Sequence, residues 1–196
     1  MIVVKLGGTN GSGKTSIARA LMEMMGQSIA RHHGGKIQAY SGKVEGRVWA
    51  ILGNYENVCG GMDTISDKNI RLAMVRHWAE NAHVDVVFFE GLITGKTYGA
   101  FGAMSEEPQH IGKWLYAFMD TPFEECVARV TQRRQAKGNE APFDAERTMR
   151  PTYKAVNSVA LRAATVGHTV YKVPYQLTPA QAASSLVIAA HALINK

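Results

Sequence analysis

Continuous apolar runs and helix-spaced apolar stripes alternate from one end of the chain to the other. Residues 1–6 (MIVVKL) read as a strand running into glycines, and residues 16–22 (SIARALM) as the helix that leaves them. Residues 36–40 make a short strand, and residues 47–55 a second, less regular one. The spacing predicts a helix over 67–81, with Ile70, Met74, His77 and Trp78 on one face. Residues 84–89 (VDVVFF) form a nearly unbroken apolar run, the pattern of a central parallel strand buried on both faces, and residues 114–119 repeat it. A helix over 122–135 follows, with Thr121 as N-cap and Pro122 as its first residue. Val156, Val159, Ala160 and Ala163 then mark a helix over 153–166 that Gly167 ends, and residues 170–173 supply the last strand. A terminal helix opens at Thr178 or Pro179 and runs to Ile194, burying Leu186, Val187, Ala190 and Leu193. This alternation predicts an α/β fold: a doubly wound parallel sheet of about five strands with helices on both faces, forming one domain over 1–196. Trp49, Trp78 and Trp114 sit in apolar runs and read as core.

The stretch 53–64 (GNYENVCGGMDT) breaks the alternation. It is too irregular for a helix or a central strand, and in a parallel sheet such connections lie at the carboxyl ends of the strands, where ligands bind.

Between the first strand and the first helix, residues 8–15 read Gly-Thr-Asn-Gly-Ser-Gly-Lys-Thr, a full match to the phosphate-binding pattern G-x-x-x-x-G-K-[ST] in its required strand–loop–helix setting. Glycines let the backbone wrap a polyphosphate, and the helix N-terminus favours anions. On this reading Thr9, Asn10, Gly11, Ser12, Gly13, Lys14, Thr15 and Ser16 hold ATP; Lys14 reaches its β- and γ-phosphates and Thr15 ligates Mg²⁺. Glu90, at the tip of the 84–89 run, stands where an acid can hold Mg²⁺ through water or accept a proton. Asp63, after Gly60-Gly61-Met62, fits either a base that orients an acceptor hydroxyl or a plain Asx turn. Tyr55 and Asn57 in the same stretch fit base recognition; for Tyr55, core packing or solvent exposure is the equal alternative. Arg129, Arg133 and Arg134, at spacings of four and five, fit either the clamp of a transferring phosphoryl group or a solvated helix face. With the polar stretch after them they outline a lid over roughly 129–150. The adjacent His32 and His33 have no metal-ligand spacing.

The charge is +6 at pH 7 and the pI about 9.4, a balance that suits polyanions. It is partly focused: Arg129, Arg133, Arg134, Lys137, Arg147, Arg150 and Lys154 stand against Glu140, Asp144 and Glu146. Cys59 and Cys126 make neither a disulfide framework nor a metal set, the strand at the N-terminus leaves no room for a leader, and no run spans a bilayer; a cytoplasmic protein is the expectation.

With the 8–15 loop, Phe89-Glu90-Gly91, Asp120-Thr121-Pro122 and the three arginines in this order, the chain resembles small P-loop kinases of the nucleotide-kinase type. The 53–64 stretch with Phe89-Glu90-Gly91-Leu92 is similar to a narrower group of bacteriophage kinases, some of which phosphorylate 5-hydroxymethyluracil within DNA. That resemblance implies an ATP- and Mg²⁺-dependent transfer to a hydroxymethyl group on a base in duplex DNA, in the cytoplasm of an infected host. A kinase of free deoxynucleoside monophosphates is the alternative, and a nucleotide switch without an acceptor is a third reading. Nucleoside monophosphate kinases often carry an acid-Arg pair after the corresponding strand, whereas Gly91-Leu92-Ile93 follows Glu90 here.

Overall fold

The chain is described by a computed structural model covering residues 1–26, 28–33, 36–56, 60–81, 83–107, 111–139 and 141–195; for 31–33, 36 and 37 the description is of the backbone. The first strand, β1 (Ile2–Gly7), is buried along its whole length because it has a parallel strand on each side and helices on both faces. In chain order the other elements are α1 (Lys14–Met24), β2 (Ile29–His33), β3 (Lys36–Val44), β4 (Arg47–Leu52), α2 (Lys68–Ala79), β5 (Val86–Glu90), α3 (Leu92–Gly95), α4 (Gly99–Ser105), β6 (Lys113–Met119), α5 (Phe123–Gln135), α6 (Ala145–Thr148), α7 (Arg150–Thr165), β7 (Thr169–Val173) and α8 (Pro179–Ile194). The sheet order is β2-β3-β4-β5-β1-β6-β7.

From β4 to β7 every pairing is parallel, as the apolar runs predict. Period-2 alternation divides β1 between two cores. Ile2, Val4 and Leu6 meet Ile17 and Leu21 of α1 and Leu186, Val187 and Ala190 of α8. Val3 meets Val75 of α2, Phe101 of α4 and Val156 and Val159 of α7 on the other face. Lys5 points to this second face too. Its Nζ is fully buried, lies 5.2 Å from the centre of the Tyr116 ring and has no hydrogen-bond partner among the described residues. Burial pushes its ammonium down to about 7. Trp49 and Trp114 are core, as expected, and Trp78 is partly buried against the second cluster.

The structure corrects several expectations. Among the described residues the sheet has seven strands, not about five, because β2 and β3 add an antiparallel pair beside β4. The sequence of β2, IARHH, lacks an apolar run, since an edge strand is held by backbone pairing rather than by burial of both faces. The buried stripe of α2 is Arg71, Val75 and Ala79, displaced from the expected one; Ile70 and His77 are exposed. Arg71 explains the displacement: its guanidinium folds back to donate to the carbonyls of Ile65 and Ser66, so a cation occupies the inward face. Pro122, not Thr121, is the cap of α5, and α7 begins earlier than expected, at Arg150. The short helices α3, α4 and α6 carry no period long enough to read. Gly167 (φ 87°) does end α7, and Thr178 caps α8 through a reciprocal pair with Gln181.

Candidate active site

The chain passes from Gly7 to Lys14 through a loop that turns on Gly11 (φ 77°) and Gly13 (φ 100°). A side chain at Gly11 would also strike the Cys126 carbonyl of α5, so the loop and α5 pack backbone to backbone. Inside the loop, the Ser12 hydroxyl and the Lys14 ammonium both donate to the Thr9 carbonyl, at 2.8 and 2.9 Å. The Thr121 hydroxyl donates to the Ser12 carbonyl at 3.0 Å, which is why it does not cap α5. The Thr9 and Ser12 carbonyls are thus both engaged by protein donors. Among the described residues no side chain caps α1 and no acid lies in its first turn, and the Ser16 and Ile17 amides donate to the Gly13 carbonyl. Burial pushes the Lys14 ammonium below its ordinary range, while the charges of Glu90 and Asp63 pull the other way.

Glu90 ends β5 beside β1 and is 2% exposed. Its Oε1 accepts from the Thr15 hydroxyl at 3.1 Å. Burial pushes its carboxyl up to about 7, against the opposing pull of Lys14 and the Thr15 hydrogen bond. Gly61 (φ 87°) lies against this carboxylate; a side chain there would overlap it. The next three residues form a turn, Met62–Thr64, which carries Asp63 to the N-terminus of α3. There the Asp63 carboxylate accepts from the Leu92 and Ile93 amides, the latter at 3.1 Å to Oδ1. Gly91 permits the approach: a Cβ on it would stand 2.6 Å from Asp63 Oδ1.

These groups converge on one cleft of about 500 Å³ at the carboxyl ends of β1 and β5, the end of a parallel sheet at which ligands bind. It is lined by Asn10, Gly11, Gly13, Lys14, Thr15 and Ser16 from the loop and α1, by Asp63 and Glu90, and by Arg129 and Arg133 from α5. Arg129 is steered by Glu125, whose carboxylate accepts from its Nε at 2.7 Å. Arg134 is not brought to the cleft. Its guanidinium donates to Asn139 Oδ1 and the Ala141 carbonyl and lies 4.9 Å from the Phe143 ring centre. Helical rise accounts for the difference: a step of four keeps Arg133 on the face of Arg129, and a fifth residue turns away by a further 100°.

Thr9 and Ser12 serve the loop's internal bonds rather than the cleft wall. Tyr55 is core, 4% exposed, its hydroxyl donating to the Leu52 carbonyl and its ring tilted against Tyr40. Asn57 and Cys59 lie outside the described residues. Sequence reasoning missed Arg19, which lines the cleft and donates to the Tyr55 carbonyl at 3.3 Å. Its signal was available, because Arg19 is four residues after Thr15 and so shares its helix face. It also missed the hold of Thr121 on Ser12, which no periodicity encodes.

Comparison with known proteins places this geometry in a lineage. The family described as 5-hmdU DNA kinase matches residues 2–171, spanning every cleft residue named above. The 5-hmdU DNA kinase of Pseudomonas phage PaMx11 is 32% identical over 143 residues, 71% of this chain and 73% of that protein. That of Pseudomonas phage M6 is 26% identical over 147 residues, 70% of this chain and 74% of its own. A glycine loop, a buried glutamate and paired arginines around one cleft therefore occur in a chain that belongs to the 5-hmdU DNA kinase family.

Proposed function

We propose that this protein is a P-loop kinase, one domain over 1–196, that transfers the γ-phosphoryl group of ATP to the hydroxymethyl oxygen of 5-hydroxymethyluracil in DNA. The observation that carries the reading is the cleft, where an anion-binding loop, a carboxyl with a raised pKa and two arginines meet. The relatives' printed activity supplies the acceptor. The loop residues fit a triphosphate through the uncapped N-terminus of α1 and the buried Lys14. Thr15 and Glu90 offer the hard oxygen donors that suit Mg²⁺, which when bound would neutralise charge between the phosphates.

In the transfer, the acceptor oxygen forms a bond to the γ-phosphorus as the bond to the β,γ-bridging oxygen breaks, and ADP leaves. Glu90, at the tip of β5 in the cleft, takes the hydroxymethyl proton. Asp63 has both oxygens engaged by α3 amides, so it positions α3 and the cleft wall instead. Arg129 and Arg133 bind the equatorial phosphoryl oxygens. Arg134 works in the lid, whose Val130 and Met149 pack with Phe123 and Cys126 in a small apolar cluster. Most of the rate then comes from positioning and electrostatics, and the base has to leave the stack to enter a cleft in a sheet end.

The test is incubation with γ-labelled ATP and Mg²⁺ of three acceptors: duplex DNA containing 5-hydroxymethyluracil, thymine duplex with blocked 5′ ends, and free deoxynucleoside monophosphates. Label should enter the hydroxymethylated duplex alone. Label in the monophosphates alone would overturn the DNA reading and favour a nucleotide kinase.

A further inference from the structure

We propose that Ile93, at the rim of the cleft, is a wedge that enters the base stack and occupies the gap left when the acceptor base is extruded; this rests on the duplex-DNA reading above. Glu90 ends β5 and Ile93 follows three residues later, so the two backbones lie within about 10 Å, the reach of three residues. The backbone of Ile93 is held at both its polar groups. Its amide donates to Asp63 Oδ1 at 3.1 Å, and its carbonyl accepts from the Thr97 hydroxyl at 3.0 Å. The Asp63 carboxylate also takes the Leu92 amide, which ties the same turn to the cleft wall. On its other side α3 rests on β1: Thr94 and Gly95 are buried, and a Cβ on Gly95 would stand 3.1 Å from Gly7 Cα. Thr94 and Gly95 thus face inward, Leu92 lines the cleft, and Ile93 is left 43% exposed beside it.

Single exposed apolar side chains are ordinary on a protein surface and need no role. Position sets this one apart. Among the described residues the large apolar side chains left exposed are Ile29, Ile70, Ile93, Leu161 and Ile188, and Ile93 alone adjoins a cleft-lining residue in the chain. Extruding a base costs stacking on both sides of the gap, and an inserted aliphatic side chain offsets part of that loss. The extruded base stays joined to its own strand. With its hydroxymethyl group at Glu90, the gap it leaves lies beside the cleft mouth, where Ile93 stands. Isoleucine suits the task because its β-branch stiffens χ1, so on a fixed backbone the side chain keeps its direction. The cleft draws the strand to that place, since Lys14, Arg19, Arg129 and Arg133 line it against Asp63 and Glu90, a balance that attracts the flanking phosphates.

The experiment gives wild type, Ile93→Ala and the wedge-keeping Ile93→Leu two acceptors with γ-labelled ATP and Mg²⁺. One is a duplex carrying a single 5-hydroxymethyluracil beside 2-aminopurine, whose fluorescence rises on unstacking; the other is the same strand alone. Ile93→Ala should lower kcat/KM on the duplex by about tenfold and remove most of the fluorescence rise on binding. Its single-strand turnover should stay within about twofold of wild type, because a base outside a duplex needs no extrusion. Ile93→Leu should keep both the duplex rate and the signal. Unchanged duplex kcat/KM and fluorescence in Ile93→Ala would overturn the wedge while leaving the kinase reading intact. Equal losses on duplex and single strand would overturn it too, since that is the mark of a damaged cleft or fold. Wild type that labels neither DNA would instead overturn the functional reading on which the wedge depends.

Discussion

Glu90 and Lys5 are two buried ionisable residues on adjacent strands with opposite consequences for stability. Burial raises the Glu90 carboxyl from its ordinary 4.5 to about 7, so between those values the folded protein holds a proton that the unfolded chain has lost. Its contribution to stability is full below pH 4.5 and declines as pH rises through about 7, where ionised Glu90 costs on the order of 3 kcal/mol. Glu90→Gln should therefore raise Tm at pH 8 far more than at pH 5 in thermal melts without nucleotide, while turnover is abolished. Lys5 runs the other way. Its ammonium, lowered to about 7, gives it up to a few kcal/mol of cost at pH 6 that fades as pH rises towards 10.5, part of it offset by the Tyr116 ring. Lys5→Met should stabilise most at or below pH 7 and little near pH 10. For catalysis, kcat/KM should rise with pH along a limb set by Glu90 in wild type, and on the proposed positioning role of Asp63, Asp63→Asn should lower kcat by roughly 10²-fold while keeping that limb. Loss of the limb in Asp63→Asn, measured in a pH–rate series, would return the base role to Asp63.

At the scale of elements, α5 decides which arginines face the cleft. Arg133 faces the cleft and Arg134 is tied to Asn139, Ala141 and the Phe143 ring. Arg133→Ala should lower kcat by roughly 10²-fold with little change in ATP affinity, whereas Arg134→Ala should change kcat only a few-fold. Single-turnover kinetics separate the two, and equal losses would place both residues on the transferring group. The turn before α3 is equally constrained. Gly61→Ala, with its left-handed φ and the Glu90 carboxylate in the way, should cost at least ~2 kcal/mol in urea denaturation.

For the whole molecule, the positive charge gains meaning from where the fold puts it. Arg129 and Arg133 reach the cleft through α5. Binding to duplex DNA should weaken steeply as salt rises, and binding to a free nucleotide only mildly; titration of both ligands across a salt series distinguishes them. No helix among the described residues is long and apolar enough to cross a membrane.

Much of this was legible from residues alone, because the relevant physics is local. The apolar run 84–89 needs helices on both faces of a sheet whatever its neighbours are, and β5 lies within two residues of it. Residues 8–15 announce an anion loop because glycine conformations and a helix N-terminus are properties of adjacent residues. By itself the sequence thus determined the α/β alternation, the glycine loop and the candidacy of Lys14, Thr15, Glu90 and Asp63. Tertiary structure alone decided what those candidates face. Asp63 meets α3 amides from residues 29 and 30 positions away, Thr121 leaves its expected cap for a carbonyl 109 residues earlier, and β2 exists only because β3 is there to pair with it. Period and propensity describe neighbours along the chain, whereas a hydrogen bond between distant residues depends on the packing that brings them together.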